Sequence, residues 1–161
     1  MLSLFINNKH GSLVFQRNFR EGLCLKANDA IRQASTFHGL SEIAAQLSPV
    51  RPPAIGELSF IQPKGICIIE AFGFKVQCLE TLTGRQEAGH STKREKLRGL
   101  RFVLVAETGV SSQLIENCLR QAYAAYTDFG LKNPFYDLDM PLRCQLFEEE
   151  IDKIFGDYTK S

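Results

Sequence analysis

The dipeptide Phe72-Gly73 constrains this chain more than any other feature. It separates two apolar runs, residues 65–70 and 74–79, and a two-residue loop fixes the register of the strands that flank it. Ala71 then faces Phe74, Ile69 faces Val76 and Cys67 faces Cys78. One face of this hairpin is wholly apolar. The other carries Glu70, Lys75 and Gln77 beside Ile66, Ile68 and Leu79. Residues 2–6 and 13–17 form a second pair around Asn7-Asn8-Lys9-His10-Gly11, where asparagine and glycine supply turn chemistry. Residues 100–106 read as a fifth strand.

Three amphipathic helices complete the pattern. Asn28 is placed to cap the first, which carries Ile31, Ala34, Phe37, His38, Ile43, Ala44 and Leu47 at helical spacing with Leu40 beside them. Ser48-Pro49 stops it, and Arg51-Pro52-Pro53 stiffens the exit. Ser111 or Ser112 caps the second helix. Its buried stripe is Leu114, Ile115, Cys118, Leu119, Ala122, Tyr126 and Phe129, and Gly130 is placed for a left-handed helix end. The third, residues 145–155, turns Leu146, Ile151, Ile154 and Phe155 inward. The order β-β-α-β-β-β-α-α with hairpin connections predicts an α+β fold: one five-stranded antiparallel sheet, the first helix on one face and the other two on the opposite face. With 161 residues, 44% of them hydrophobic, the chain can bury the core of one domain. That domain is expected over 1–156, with residues 85–99 as an inserted polar loop and 157–161 as a tail.

The residues write no catalytic chemistry. Walker, dinucleotide and Gly-x-Ser-x-Gly motifs are all missing from the sequence. A net charge of +1 gives no field for nucleic acid. Five cysteines, Cys24, Cys67, Cys78, Cys118 and Cys144, form no Cys-x-x-Cys pair and read as reduced thiols. The opposed Cys67 and Cys78 offer two ligands of an incomplete zinc site, and their spacing strains a disulfide, so packed thiols are expected, with no metal and no cofactor. His38 reads as a packed, hydrogen-bonded histidine. A Cys144–His38 nucleophile pair is the route to the alternative of a small cysteine hydrolase. The apolar start, residues 1–6, is too short for a signal core or a membrane span. Residues 85–99 hold five basic and two acidic side chains; they read as a solvated loop, with acidic lipid or an acidic partner as a secondary contact. Asn133-Pro134-Phe135-Tyr136 spells a sorting signal, but between a helix and a closing segment it is expected to be a structural loop in which Phe135 and Tyr136 pack.

Several stretches resemble the synbindin family of longin-like subunits of the transport protein particle, TRAPP. They are the run from Phe5-Ile6-Asn7-Asn8 to Val14-Phe15-Gln16, Thr36-Phe37-His38-Gly39-Leu40, Gln46-Leu47-Ser48-Pro49, Phe74-Lys75-Val76-Gln77-Cys78, Thr81-Leu82-Thr83-Gly84, and residues 126–147. Two departures stand out. Animal members carry a PDZ-like insert between the first hairpin and the first helix, which is missing here, and residues 85–99 intervene here where Thr81–Gly84 normally leads into the next strand.

The resemblance implies a longin fold and a non-catalytic core subunit in ER-to-Golgi vesicle transport. Its expected partners are a second small longin-like subunit, the acyl-channel subunits and, through the assembled complex, a Rab GTPase. Nucleic acid is not among them. The expected location is cytoplasmic, peripheral at ER–Golgi and cis-Golgi membranes, with membrane contact only through the complex. The strand at residues 65–70 is expected to be a sheet edge open to strand addition. The interface expected from this is Ile66, Ile68 and Glu70 on that strand with Arg32, Ser35 and Glu42 outward on the first helix. The alternative within the fold is another longin-like module, an adaptor small chain or a SNARE regulator.

Overall fold

The computed structural model describes residues 1–20, 26–47, 49, 65–81, 99–137, 140–156 and 158. The expected Arg51-Pro52-Pro53 exit, most of the basic loop, Cys24 and most of the 157–161 tail lie outside the described residues.

Strands β1 (Ser3–Asn7), β2 (Leu13–Asn18), β3 (Ile68–Ala71), β4 (Phe74–Glu80) and β5 (Arg101–Ala106) form one sheet in the order β2-β1-β5-β4-β3. All neighbours run antiparallel. The hairpin register is the expected one. Ala71 pairs with Phe74 and Ile69 with Val76, and the Cys78 amide donates to the Cys67 carbonyl at 2.8 Å. Gly73 takes φ +87° at the second loop position, a conformation glycine adopts without a Cβ clash. Gly11 does the same for the β1–β2 turn at φ +84°, where Asn8 Oδ1 accepts from the amides of His10 and Ser12. Asn7 is not part of that turn. It ends β1 beneath a helix.

Helix α1 (Ala27–Leu47) lies on one face of the sheet; α2 (Ser112–Tyr126) and α3 (Gln145–Gly156) lie on the other. The α2 side holds the larger core: Leu4, Ile6, Phe102 and Leu104 from the sheet, Ile115, Leu119 and Tyr126 from α2, and Phe147, Ile151 and Phe155 from α3. Phe147 stands edge-on between Phe15 and Tyr126, at 4.8 and 6.2 Å between ring centroids. In α3 the inward residue is therefore Phe147 and not Leu146, which is exposed. Arg17 of β2 straps the outside of α3 through Asp152 and Glu148.

Three helix expectations are corrected. Helix α1 begins one turn position early: the Lys26 carbonyl accepts from the amides of Asp29 and Ala30, so Asn28 sits inside the first turn. Its buried line is Ala30, Ala34, Phe37 and Ser41, while Ile31, Leu40, Ile43 and Leu47 are exposed. Gly130 does not end α2 in a left-handed conformation. Ser111 caps the start of α2 through Leu114 N, and its far end passes into a π-helical turn, Thr127–Leu131. A Cβ on Gly130 would stand 3.2 Å from the Tyr126 ring, a tight approach that the ring would have to relax by a few tenths of an ångström to admit. Beyond it Tyr136 packs edge-on to Tyr126 as expected, whereas Phe135, also expected to pack, is exposed.

Candidate protein interface

The two edges of the sheet differ. At β2, the Leu142 amide donates to the Val14 carbonyl at 2.9 Å, so the segment entering α3 covers that edge. At β3, the paired residues alternate between those bonded to β4 and those facing away. Cys67, Ile69 and Ala71 bond inward, which turns the amides and carbonyls of Ile68 and Glu70 outward. Their side chains are also exposed; Glu70 reaches Lys75 Nζ at 3.0 Å. Ile66 is half-buried against the cluster of Phe5 and Val103.

The two faces of the β3–β4 hairpin are covered in the reverse of the order their polarity suggests. Lys75 and Gln77 are 9% and 7% exposed, because α2 lies over them and Ser112 Oγ accepts from Lys75 at 3.1 Å. Among the described residues the apolar face lacks such a cover. Helix α1 packs over β1 and β2, which leaves Val76, Phe74 and the outer side of Val103 and Val105 as the floor of a groove of about 750 Å³. One wall is α1, through Arg32, Gln33, Thr36, Phe37 and Leu40; the other is the hairpin tip, where Phe72 is fully exposed. Asn7 also lines it. Its Nδ2 donates to the Ala34 carbonyl at 3.0 Å, while Oδ1 is buried with no donor among the described residues.

The six residues expected at an interface are thus only partly brought together. Ile68 and Glu70 share the exposed edge with side chains on the α2 side, whereas Arg32 lines the groove on the α1 side, 3.8 Å from Asp29. Ser35 is exposed on α1 but does not line the groove. Glu42 turns inward. Its carboxylate meets Arg101 at 2.8 Å, beside His38 Nδ1 at 2.9 Å and Glu80 at 3.6 Å from the same guanidinium. His38 is packed and hydrogen-bonded, as expected. Sequence reading passed over Phe72, Phe74, Leu40 and Arg101. A glycine flanked by two phenylalanines was the available signal for the first two, since a polar tip is the norm for an exposed turn.

Cys78 and Cys118 are placed for packing, whereas Cys67, expected to pack opposite Cys78, is exposed at the end of the hairpin. Burial pushes Cys78 up to about 12, with Arg101 opposing, and burial also raises Cys118. The sheet stands between Cys144, packed on the α2–α3 side, and His38 on α1, so these two do not form a nucleophile pair. A thiol reagent at pH 8 should modify exposed Cys67 well before Cys78 and Cys118. Peptide mapping of the labelled chain checks this order, and early loss of Cys78 would contradict it. The sign of the linkage is also fixed: a thiol held protonated in the fold and free to ionise when unfolded withdraws stability as pH rises from about 9 toward about 12.

Among the described residues, no trio of His, Cys, Asp and Glu is grouped to hold a metal, and no helix is long and apolar enough to cross a membrane. The sybindin-like family matches residues 1–86 and 92–158. A trafficking protein particle complex subunit 4 from Dictyostelium discoideum is 36% identical over 154 residues, 96% of this chain and 95% of its own length. Its counterparts from Bos taurus and Homo sapiens are 35% identical over 127 residues, 79% of this chain. The chain spans 46% of the length of those mammalian relatives.

Proposed function

Because the chain belongs to the sybindin-like family, we propose that it is a non-catalytic core subunit of a trafficking protein particle complex in ER-to-Golgi vesicle transport. The observation that carries this reading is end-to-end similarity to a subunit of such a complex, over 96% of this chain and 95% of the relative. The interface geometry supports it. An open strand edge beside an apolar groove is a surface suited to another folded chain.

In this reading a second small longin-like subunit adds a strand to β3 and lays its own apolar surface over the groove floor. The assembled core, acyl-channel subunits included, forms the face on which a Rab GTPase releases nucleotide. This chain contributes scaffold and part of that face. A 1,000-fold acceleration of release corresponds to about 4 kcal/mol of differential stabilisation, which a surface shared among subunits can supply without an acid, a base or a nucleophile. The chain is held at cis-Golgi membranes through the complex.

The test is to recover the tagged chain from its own cells, identify what accompanies it by mass spectrometry, and assay Rab nucleotide release by the recovered material. Co-recovery of longin-like and acyl-channel subunits with exchange activity is expected. Recovery of clathrin-adaptor or SNARE proteins in their place would overturn the reading.

A further inference from the structure

Two cysteines face each other at the open end of the β3–β4 hairpin. The pairing runs from Ala71 and Phe74 through Ile69 and Val76. Two residues further on it reaches Cys67 and Cys78, where the Cys78 amide donates to the Cys67 carbonyl at 2.8 Å. Directly opposed residues send their side chains out on the same face of the sheet. Both are free thiols, and both line a cleft of about 260 Å³ together with Ser41, Glu80 and Arg101.

The two thiols divide the work of an oxidation site. Cys67 is exposed and lies in a bend one residue before β3. Its Sγ turns back toward the Gly65 carbonyl at 3.8 Å, so it is the sulfur that a dissolved oxidant meets first. Cys78 is half-buried against the cluster of Phe5 and Val103. Burial first, then Glu80 and Cys67, hold it protonated against the pull of Arg101. A protonated, half-buried thiol is a poor first target but is well placed to react with its neighbour.

The backbone decides what kind of bond the pair can make. Opposed residues of a hydrogen-bonded antiparallel pair have Cα atoms about 5.5 Å apart, within the roughly 4.4–6.8 Å that a disulfide spans. Their Cβ atoms start about 5 Å apart and have to close to about 3.8 Å. The strand has to give, and Cys67, lying outside β3, is where it can. A disulfide made under strain is readily reduced. The strain expected from the spacing therefore argues against a permanent cross-link and for a reversible one.

We propose that Cys67 and Cys78 form a reversible oxidation site for hydrogen peroxide, with Cys67 reacting first and Cys78 resolving it. The Cys67 sulfur attacks the O–O bond. One oxygen stays on sulfur as a sulfenic acid and the other leaves as water. The Cys78 sulfur then attacks Cys67 Sγ, the S–O bond breaks, and a second water leaves with the Cys78 proton. The two thiols together lose two electrons, which the peroxide gains. Arg101, in the same cleft, faces the negative charge that develops on Cys78 as its proton departs. Because Cys67 directly precedes Ile68, the disulfide pins the start of the open β3 edge to β4. The site belongs to the chain alone, so its test is separate from that of the complex-subunit reading.

The purified full chain is treated with hydrogen peroxide, blocked with iodoacetamide after unfolding, and mapped without reduction. Cleavage after Lys64, Lys75 and Arg85 puts the two cysteines on separate peptides, 65–75 and 76–85. The expected result is a 65–75 to 76–85 pair, loss of both thiols from alkylation, and recovery of both on adding dithiothreitol. In Cys78→Ser, Cys67 should instead accumulate as a sulfenic acid that dimedone traps. In Cys67→Ser, Cys78 should stay alkylatable after the same treatment, with a circular dichroism spectrum like that of wild type. If Cys78→Ser fails to fold, the wild-type map and Cys67→Ser still decide. Oxidation of Cys67 to a sulfinic acid while Cys78 remains a thiol overturns the site. So does a disulfide from Cys67 to Cys24, Cys118, Cys144 or a second copy of the chain.

Discussion

Arg101→Met is expected to lower the unfolding free energy by about 3 kcal/mol, the lower end of the cost of removing one partner from a buried ion pair. The guanidinium is the buried member of its group, with a side chain 5% exposed, while Glu42 and Glu80 are 27% and 26% exposed. Methionine keeps much of the volume but leaves two carboxylates facing each other and removes the donor to His38 Nδ1. Because both carboxylates retain some water, the upper end of the range is not reached. For a chain of this size the loss corresponds to a thermal midpoint lower by roughly 6–12 °C. Urea unfolding followed by circular dichroism measures it directly. Adding Glu42→Gln should restore part of the loss by removing the repulsion. A change below about 1 kcal/mol would mean that the cluster is solvated and structurally idle.

The second large effect concerns association and leaves the fold in place. Ile68→Pro removes one outward amide of β3 and places a ring against any added strand. Among the described residues that amide has no partner, because Ile68 lies opposite Gln77 at a position whose backbone faces away from β4. An unmatched carbonyl on the partner together with the steric obstruction is worth about 3 kcal/mol, or roughly 100-fold in affinity for the longin-like partner. Ile68→Thr, which keeps the amide and the branching at Cβ, should bind nearly as wild type. Titration calorimetry with the purified partner distinguishes the two. Equal affinity for Ile68→Pro and wild type would sink strand addition at β3.

The parts of this fold that were legible in the sequence are those fixed by local geometry. Phe72-Gly73 fixed the hairpin register because a two-residue loop permits one pairing, and Ser111 announced the start of α2 because a side-chain oxygen must meet its first free amides. What stayed hidden depended on which apolar surface meets which neighbour. In α1, Ile31, Leu40, Ile43 and Leu47 carry the larger side chains, yet the smaller Ala30, Ala34 and Ser41 are buried with Phe37. Small residues let the helix backbone come close enough for Asn7 to reach the Ala34 carbonyl. Periodicity locates an apolar stripe but does not say whether it is buried within the chain or against another. The same ambiguity hid the groove: the hairpin's apolar face packs only in part on the smaller core, and among the described residues no helix lies over the rest. Arg101 was illegible for a different reason. Glu42, Glu80 and His38 lie far from it in sequence, and only the sheet order and the placement of α1 bring them together. Gly130 was read from its position at a helix end, whereas the helix continues through it as a π-helical turn close to the Tyr126 ring.

The unequal edges of the sheet also set a limit on stoichiometry. A sheet open on both sides propagates, since each added strand exposes a new template and the product is a filament. Here Leu142 bonds across the outer side of Val14 in β2, and among the described residues only β3 is left without a covering segment. Among the described residues the chain is thus monovalent for sheet extension. Joined at β3 to a partner with the same asymmetry, it closes into a ten-stranded pair with no edge left to grow, so β-pairing terminates after one event and any larger assembly has to be built through side-chain contacts.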